Sequence, residues 1–198
     1  MSYERLLTID KPFFTQYEIA YALGTKLASA EVLCSRYVKR GLLIRLKRGF
    51  YARTETLNHL NTIDLFRIAN FLQVPSYISL MSALSYYGIT PQVQKGFFES
   101  ISVKRTKTFE FGGLSFHYIK LRPDLYRNFI KRDGVFIALP EKAFLDILYL
   151  ASLGRYSFDG SSLDLKIVNK GMLAEISALY PPKVRRYFEE VYAKINRA

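Results

Sequence analysis

The hydrophobic and polar positions near the start of the chain predict a short helix over residues 13–23. Thr15 and Glu18 form a Thr-x-x-Glu capping box, in which each side chain satisfies a free amide of the first turn. Ile19, Ala22 and Leu23 recur at helical spacing. Gly24 is predicted to end the helix, because glycine adopts the left-handed conformation without a Cβ clash.

A second helix is predicted after a short linker. Ser29 is a suitable N-cap, the helix is expected to run to Arg40, and Gly41 is expected to end it. One face of this helix is hydrophobic and is formed by Ala30, Leu33, Cys34, Tyr37 and Val38.

The period then changes to that of a β-hairpin. Ile44 and Leu46 alternate with Arg45 and Lys47, which predicts a half-buried strand. Lys47-Arg48-Gly49 is a turn sequence, and Phe50-Tyr51-Ala52 is predicted to be the returning strand. Helix, turn, helix and hairpin in this order are typical of a winged helix-turn-helix, which we expect over residues 1–57.

The remainder, residues 58–198, is predicted to form a C-terminal domain after the polar stretch 54–61. Helices are expected over residues 62–73, 77–88 (capped by Ser76), 140–153 and 172–179 and from 181 onward, and strands over 97–105, 108–111, 114–121 and 135–138. Gly112-Gly113 suits a two-residue hairpin turn. The expected fold class is therefore α+β: a winged helix-turn-helix followed by a mixed helical and antiparallel-sheet domain.

The helix predicted from Pro140 has a clear inner stripe, formed by Ala143, Phe144, Ile147, Leu148 and Ala151. Glu141, Lys142 and Asp146 fall off this stripe. Glu141 and Asp146 are expected to be a helix-start charge and an ion-pair partner, since five residues apart they do not share a face well enough for a catalytic pair.

The positive charge of the second predicted helix and of the hairpin indicates a function. The net charge is +12, and no acid occurs between Glu31 and Glu55. A basic helix followed by a basic hairpin suits double-stranded DNA, although a merely solvated basic face is the alternative. Base edges are expected to be read by Ser35 and Arg36, and phosphates by the remaining basic positions. The predicted DNA-binding residues are Ser35, Arg36, Lys39, Arg40, Arg45, Lys47 and Arg48.

A second set of basic residues lies in the C-terminal part: Lys104, Arg105, Lys107, Lys120, Arg122, Arg127, Lys131 and Arg132. Neighbouring aromatic residues, namely Phe109, Tyr118 and Tyr126, could stack on unpaired bases. An ordinary solvated rim over core aromatics is the favoured interpretation.

Other chemistry is not indicated. The single cysteine, Cys34, permits no internal disulfide and is expected to be a small core residue. His59 and His117 stand in no metal-binding pattern, and no phosphate loop or nucleophile elbow occurs. No catalytic residue, metal or cofactor is therefore predicted, and an enzyme is not expected. The absence of a secretory signal or a long apolar run makes the cytoplasm the expected location.

Three segments resemble the AbiEi antitoxin family of abortive-infection systems. These are SRYVKRGLLIRLKRGFYA (Ser35–Ala52), SYISLMSALSYYGI (Ser76–Ile89) and ALPEKAFLDILYL (Ala138–Leu150), in the family's order. One departure is Tyr87, at a place where many relatives have histidine, so any role of that histidine does not transfer.

The resemblance implies an antitoxin of a type IV toxin–antitoxin system. The N-terminal domain would bind inverted repeats and repress its own operon, as a possible dimer on DNA. The C-terminal domain would counteract a nucleotidyltransferase-like toxin, without a stable complex. The alternative is a stand-alone winged-helix regulator whose C-terminal domain dimerises or senses a ligand. A nucleic-acid enzyme is a third class, which magnesium-dependent nicking would reveal.

Overall fold

The computed structural model describes residues 3–57, 59–92 and 95–195. The fold is α+β, as predicted, and divides into two compact units: Met1–Ile68 with Glu110–Leu114, and Ala69–Phe109 with Ser115–Ala198. The predicted boundary at residue 58 lies outside the described residues. None of the helices in the described ranges has both the length and the apolar character needed to cross a membrane.

The first unit opens with a 3-10 helix and then alternates short strands with helices. Its elements are the 3-10 helix Tyr3–Thr8, β1 (Phe14–Thr15), α1 (Gln16–Leu23), α2 (Leu27–Lys39), β2 (Leu43–Lys47), β3 (Phe50–Arg53) and α3 (Thr54–Leu57). The three strands form an antiparallel sheet in the order β1-β3-β2. Helix α4 (Thr62–Leu72) contributes residues to both units.

Local signals set the ends of α1 as predicted. The Thr15 hydroxyl accepts from the Glu18 amide at 3.1 Å, and the Glu18 carboxylate accepts from the Thr15 amide at 2.7 Å, so the capping box is formed. Gly24 follows the helix in the left-handed conformation with φ of 61°. Both ends of α1 are therefore explained by residues that are adjacent to the helix in the sequence or lie in its first turn.

The start of α2 differs from the prediction. The helix begins at Leu27 after Lys26, which makes no side-chain capping bond, so Ser29 lies inside the first turn and is not the cap. The end is as predicted: the Leu42 amide donates to the Tyr37 carbonyl at 2.9 Å, across Gly41 with φ of 71°.

A single hydrophobic core holds the first unit together. Its side chains come from all the elements between the 3-10 helix and β3, namely Leu6, Phe14, Ile19, Leu23, Ala30, Cys34, Tyr37, Leu43 and Tyr51. The predicted hydrophobic face of α2 is confirmed, since Ala30, Cys34 and Tyr37 belong to this core. The opposite side of α2 is consequently free to face solvent.

The second unit is built on a six-stranded sheet. Its strands and α-helices are β4 (Ser76–Ile78), α5 (Leu80–Tyr86), β5 (Phe97–Ser102), β6 (Lys107–Phe111), β7 (Leu114–Lys120), β8 (Phe129–Arg132), β9 (Val135–Ala138), α6 (Pro140–Ser152), α7 (Lys170–Ser177) and α8 (Pro182–Ile195). The adjoining ends of β6 and β7, within Glu110–Leu114, are counted with the first unit. The strand order is β6-β7-β5-β4-β9-β8. Helices α5 and α6 pack on one another, and α7 and α8 pack on α6.

The prediction of an antiparallel sheet in this region is wrong. The sheet is mixed, because β4 pairs with β9 and β5 pairs with β7 in parallel. Strand β6 follows β5 in the chain but is not its neighbour in the sheet. The second strand of the β6–β7 hairpin, β7, is the strand that pairs with β5. Hairpin turns are visible in a sequence, whereas this choice of neighbour is not.

Two further predictions about the second unit are corrected. The segment Ser76–Ile78 is a strand and not the start of a helix, because it fills the gap between β5 and β9. On α6, Glu141, Lys142 and Asp146 were placed off the buried stripe, but all three are buried. The helix is surrounded by α5, α7, α8 and the sheet, so polar side chains on its other faces are enclosed as well.

Candidate nucleic-acid interface

The outer side of α2 carries the predicted helical site residues. At about 100° per residue, Ser35, Arg36 and Lys39 fall opposite the face that holds Ala30, Cys34 and Tyr37 in the core. Arg40 follows at the C-cap. All four predicted residues are exposed, so the helix offers a continuous polar and basic surface.

Two neighbours modify the chemistry of this surface. The Ser35 hydroxyl donates to the Glu31 carbonyl at 3.0 Å, which leaves its oxygen free to accept but engages its proton. Val32, which the sequence did not suggest as a contact residue, is 52% exposed on the same side. A methyl-bearing side chain there suits contact with a thymine methyl group.

The hairpin places the other three predicted residues close together. Arg45 lies opposite Tyr51 in the β2–β3 pairing and is exposed, and Arg48 is exposed in the turn. The Lys47 amine is 5.1 Å from the centre of the Phe50 ring, a cation–π contact that holds its stem against the hairpin. The hairpin tip is therefore basic and locally ordered.

The alternation predicted for β2 is wrong in detail. Leu43 and Leu46 are buried while Ile44 is half-buried, because the pairing with β3 shifts register between Arg45 and Lys47. A β-bulge of this kind adds one residue to a strand and rotates the side chains that follow it. The two-residue period of a regular strand therefore does not place Arg45 and Lys47 on the same side of β2.

The positive charge at these positions is not neutralised within the unit. The side chains of Arg36, Lys39, Arg40, Arg45 and Arg48 form no ion pair with any carboxylate in the described ranges. Unpaired cations on one surface produce a positive potential that attracts polyanions.

No protein-family model and no curated protein matches this chain.

The structure adds Gln16 and Tyr17 to the surface. A notch between α1, α2 and the hairpin tip is lined in part by Tyr17, Glu31 and Arg48. The backbone amide of Gln16 donates to the Gly49 carbonyl at 3.0 Å, which joins the start of α1 to the hairpin turn. No signal in the sequence indicates this proximity, since it depends on the pairing of β1 with β3.

Cys34 is a buried residue of the hydrophobic core. Its side chain is buried in the core, and this burial raises the pKa of the thiol to about 11. The thiolate, which is the reactive form, is therefore scarce at neutral pH. The prediction of a small core residue is confirmed.

A buried polar cluster in the second unit contains the ion pair predicted for Asp146, whereas its burial and its tyrosine and serine partners were not predicted. The Lys142 amine lies 2.6 Å from Asp146 and donates to the Tyr180 hydroxyl at 2.9 Å. Asp146 also accepts from the hydroxyls of Tyr77 at 3.0 Å and Ser79 at 2.7 Å. Burial, with the nearby Asp146 charge, raises the pKa values of both tyrosines. Every member is enclosed, so the cluster ties α6 to β4 and to the segment after α7.

A second buried acid, Glu99, lies in β5. Its carboxylate accepts from the Tyr156 hydroxyl at 2.9 and 3.0 Å and from the Met81 amide at 3.1 Å. Burial raises the pKa of Glu99 to about 7, although these hydrogen bonds act in the opposite direction. The side chain therefore changes its ionisation near neutral pH.

Proposed function

We propose that this chain binds double-stranded DNA through its N-terminal unit, with that unit acting as a winged helix-turn-helix. The observation that carries the proposal is the surface formed by the outer side of α2 and the hairpin, where five cations have no carboxylate partner within the described residues. Helix α2 has the right dimensions for the major groove, and a basic hairpin beside it suits the flanking backbone.

Each part of the surface has a distinct expected task. Ser35 and Arg36 contact base edges, and an arginine in this position is suited to guanine O6 and N7. The Glu31 carboxylate, on the same helix, can accept from the amino group of cytosine. The other basic residues contact phosphates and set the register of the protein on the duplex: Lys39, Arg40, Arg45, Lys47 and Arg48. A single unit of this size reads only a short half-site, so two copies on an inverted repeat are expected.

We further propose that the protein is an antitoxin that represses its own operon and counteracts a nucleotidyltransferase-like toxin. The resemblance to AbiEi antitoxins supports this, and two of the resembling segments meet in the second unit. The hydroxyls of Tyr77 and Ser79, in one segment, donate to Asp146 in the other. The Tyr87 hydroxyl donates to the Ala138 carbonyl at 3.0 Å, so the residue at the departure from the family pattern also links them.

DNA binding is tested by titrating the full chain onto the promoter of its own operon. Arg36→Ala is expected to weaken promoter binding more than binding to unrelated duplexes, because it removes a base contact. Lys170→Ala removes one exposed positive charge from α7 and is the matched control. Equal affinity of wild type and Arg36→Ala for the promoter would contradict the assignment of α2 to the groove.

Antitoxin activity is tested separately by co-expression with the adjacent gene. The full chain is expected to rescue growth, and Arg36→Ala is expected to rescue it too while losing promoter repression. Repression without rescue would instead favour a stand-alone winged-helix regulator. Loss of both activities in Arg36→Ala would contradict the division of tasks between the two units.

A further inference from the structure

One end of the six-stranded sheet gathers basic side chains from the start of β6, the end of β7, the β5–β6 connection and the segment after α6. Strands β5 and β7 are parallel, so their carboxyl ends lie together. The Lys120 amide donates to the Thr106 hydroxyl at 3.1 Å, which places the start of β6 at the same end. An Arg155 guanidinium nitrogen reaches the Lys120 carbonyl at 3.2 Å. We name these residues the strand-end cluster: Lys104, Arg105, Lys107, Lys120 and Arg155.

The backbone beneath the cluster is held by hydrogen bonds. The Leu121 amide donates to the Ser102 carbonyl at 2.9 Å, which joins the ends of β7 and β5. The Ser102 hydroxyl donates to the Pro75 carbonyl at 2.7 Å and accepts from the Lys104 amide at 3.2 Å. The Gln73 amide group donates to the Arg105 carbonyl at 2.9 Å. The cations therefore project from a defined frame and not from a free loop.

The charges of the cluster are exposed and unneutralised. Lys104, Arg105, Lys120 and Arg155 are exposed. Within the described residues, no member of the cluster forms an ion pair. The carboxylate of Asp124, which follows β7 in the chain, forms an ion pair with the Arg122 guanidinium at 2.7 Å. Such a group of cations favours a polyanionic ligand.

The neighbouring aromatic rings are not available to stack on unpaired bases. Tyr118 is fully buried and donates its hydroxyl to the Ala69 carbonyl. The Phe109 ring packs edge-on against Tyr118 at 5.7 Å and is covered by the Lys107 amine, 4.0 Å from its centre. Tyr126 packs against Tyr77 at 5.1 Å. Single-strand binding normally uses exposed stacking platforms, so the cluster is better suited to phosphates alone.

We propose that the strand-end cluster binds the phosphate backbone of double-helical nucleic acid, as a contact surface additional to α2 and the hairpin. Three adjacent strands span about 10 Å, which corresponds to the axial length of about three base-pair steps. The proposal deepens the DNA-binding function proposed above and rests on it only for the class of ligand.

The test measures how binding by the full chain depends on salt. Four proteins are titrated by fluorescence anisotropy: wild type, Lys104→Gln/Arg105→Gln, the hairpin variant Lys47→Ala and the control Lys183→Gln/Lys194→Gln, which removes two exposed charges from α8. The probes are a 20-bp DNA duplex of arbitrary sequence, an RNA duplex of the same sequence and a 20-nucleotide single strand. For the DNA duplex, the slope of log K against log salt is expected to become shallower by about 1.8 in the cluster variant and to stay unchanged in the control.

The outcomes separate this proposal from the previous one. If the salt slope is unchanged in the cluster variant and shallower in Lys47→Ala, the strand-end cluster is overturned and the helix and hairpin contacts stand. If the salt slope is shallower in the cluster variant and unchanged in Lys47→Ala, the hairpin contact is overturned instead. A loss confined to the RNA duplex supports the surface and identifies RNA as its ligand. A loss confined to the single strand overturns the proposal. Lys104→Arg/Arg105→Lys keeps both charges and is expected to bind as wild type does, and failure to do so would also count against a phosphate contact.

Discussion

The buried pair of Lys142 and Asp146 permits a quantitative test of what stabilises the second unit. Both side chains are essentially inaccessible, at 1% and 0% exposure, and Asp146 accepts from two hydroxyls in addition to the amine. Lys142→Met removes the cation and leaves a buried carboxylate without its counterion. Removing one partner of such a pair costs about 3–5 kcal/mol of unfolding free energy. For a chain of this length, that corresponds to a melting temperature lower by roughly 6–20 °C.

The double variant Lys142→Met/Asp146→Leu isolates the interaction itself. It removes both charges, but it leaves the hydroxyls of Tyr77, Ser79 and Tyr180 without these partners, at a cost of about 1–3 kcal/mol for each unsatisfied group. Its destabilisation is expected to be smaller than the sum of those of the single variants Lys142→Met and Asp146→Leu by about 0.5–3 kcal/mol. This difference is the coupling energy of the pair.

Urea unfolding followed by far-UV circular dichroism measures these free energies. Arg67→Met is a matched control, since it breaks the partly exposed pair with Asp64 and is expected to cost at most about 1 kcal/mol. The reasoning is refuted if Lys142→Met costs no more than Arg67→Met, or if the two single variants are additive in the double variant.

Three further predictions concern other parts of the chain. Burial raises the pKa of Glu99 from its ordinary 4.5 to about 7, so the native state keeps a proton that the unfolded chain releases, and stability is expected to fall as the pH rises from about 4.5 to about 7. Glu99→Gln should flatten this dependence in urea titrations at successive pH values, whereas Tyr156→Phe, which removes a donor to the carboxylate, should extend the fall to higher pH. Thr15→Ala removes the cap of α1 and is expected to lower the unfolding free energy by about 0.5–2 kcal/mol, measured in the same way; no change would mean that the capping box contributes nothing. Lys47→Ala is expected to weaken binding to all duplexes alike and to make the salt dependence shallower by about 0.9 in slope, and a filter-binding titration with the wild-type slope would rule out its phosphate contact.

The sequence by itself predicted those features whose causes lie within a few residues. The capping box of Thr15 and Glu18, the left-handed ends at Gly24 and Gly41 and the hydrophobic face of α2 were all confirmed. The capping box and the helix ends depend on hydrogen bonds between residues of one or two turns, and the position of the buried face follows from the helical period. The exposed polar and basic residues of α2 could be named for the same reason, because their spacing relative to the buried face follows from the helical period.

Tertiary structure decided the features that depend on distant partners. Ser76–Ile78 became a strand because β5 and β9 flank it, and the bulge in β2 arises from its pairing with β3. Likewise, Asp146 is buried because it meets Lys142 on its own helix and Tyr77 of β4, which is 69 residues away in the chain. A periodic pattern predicts which side of a helix prefers to be buried. Only the arrangement of the neighbouring elements determines whether the other sides are enclosed too, and whether partners are present to satisfy the polar groups placed there.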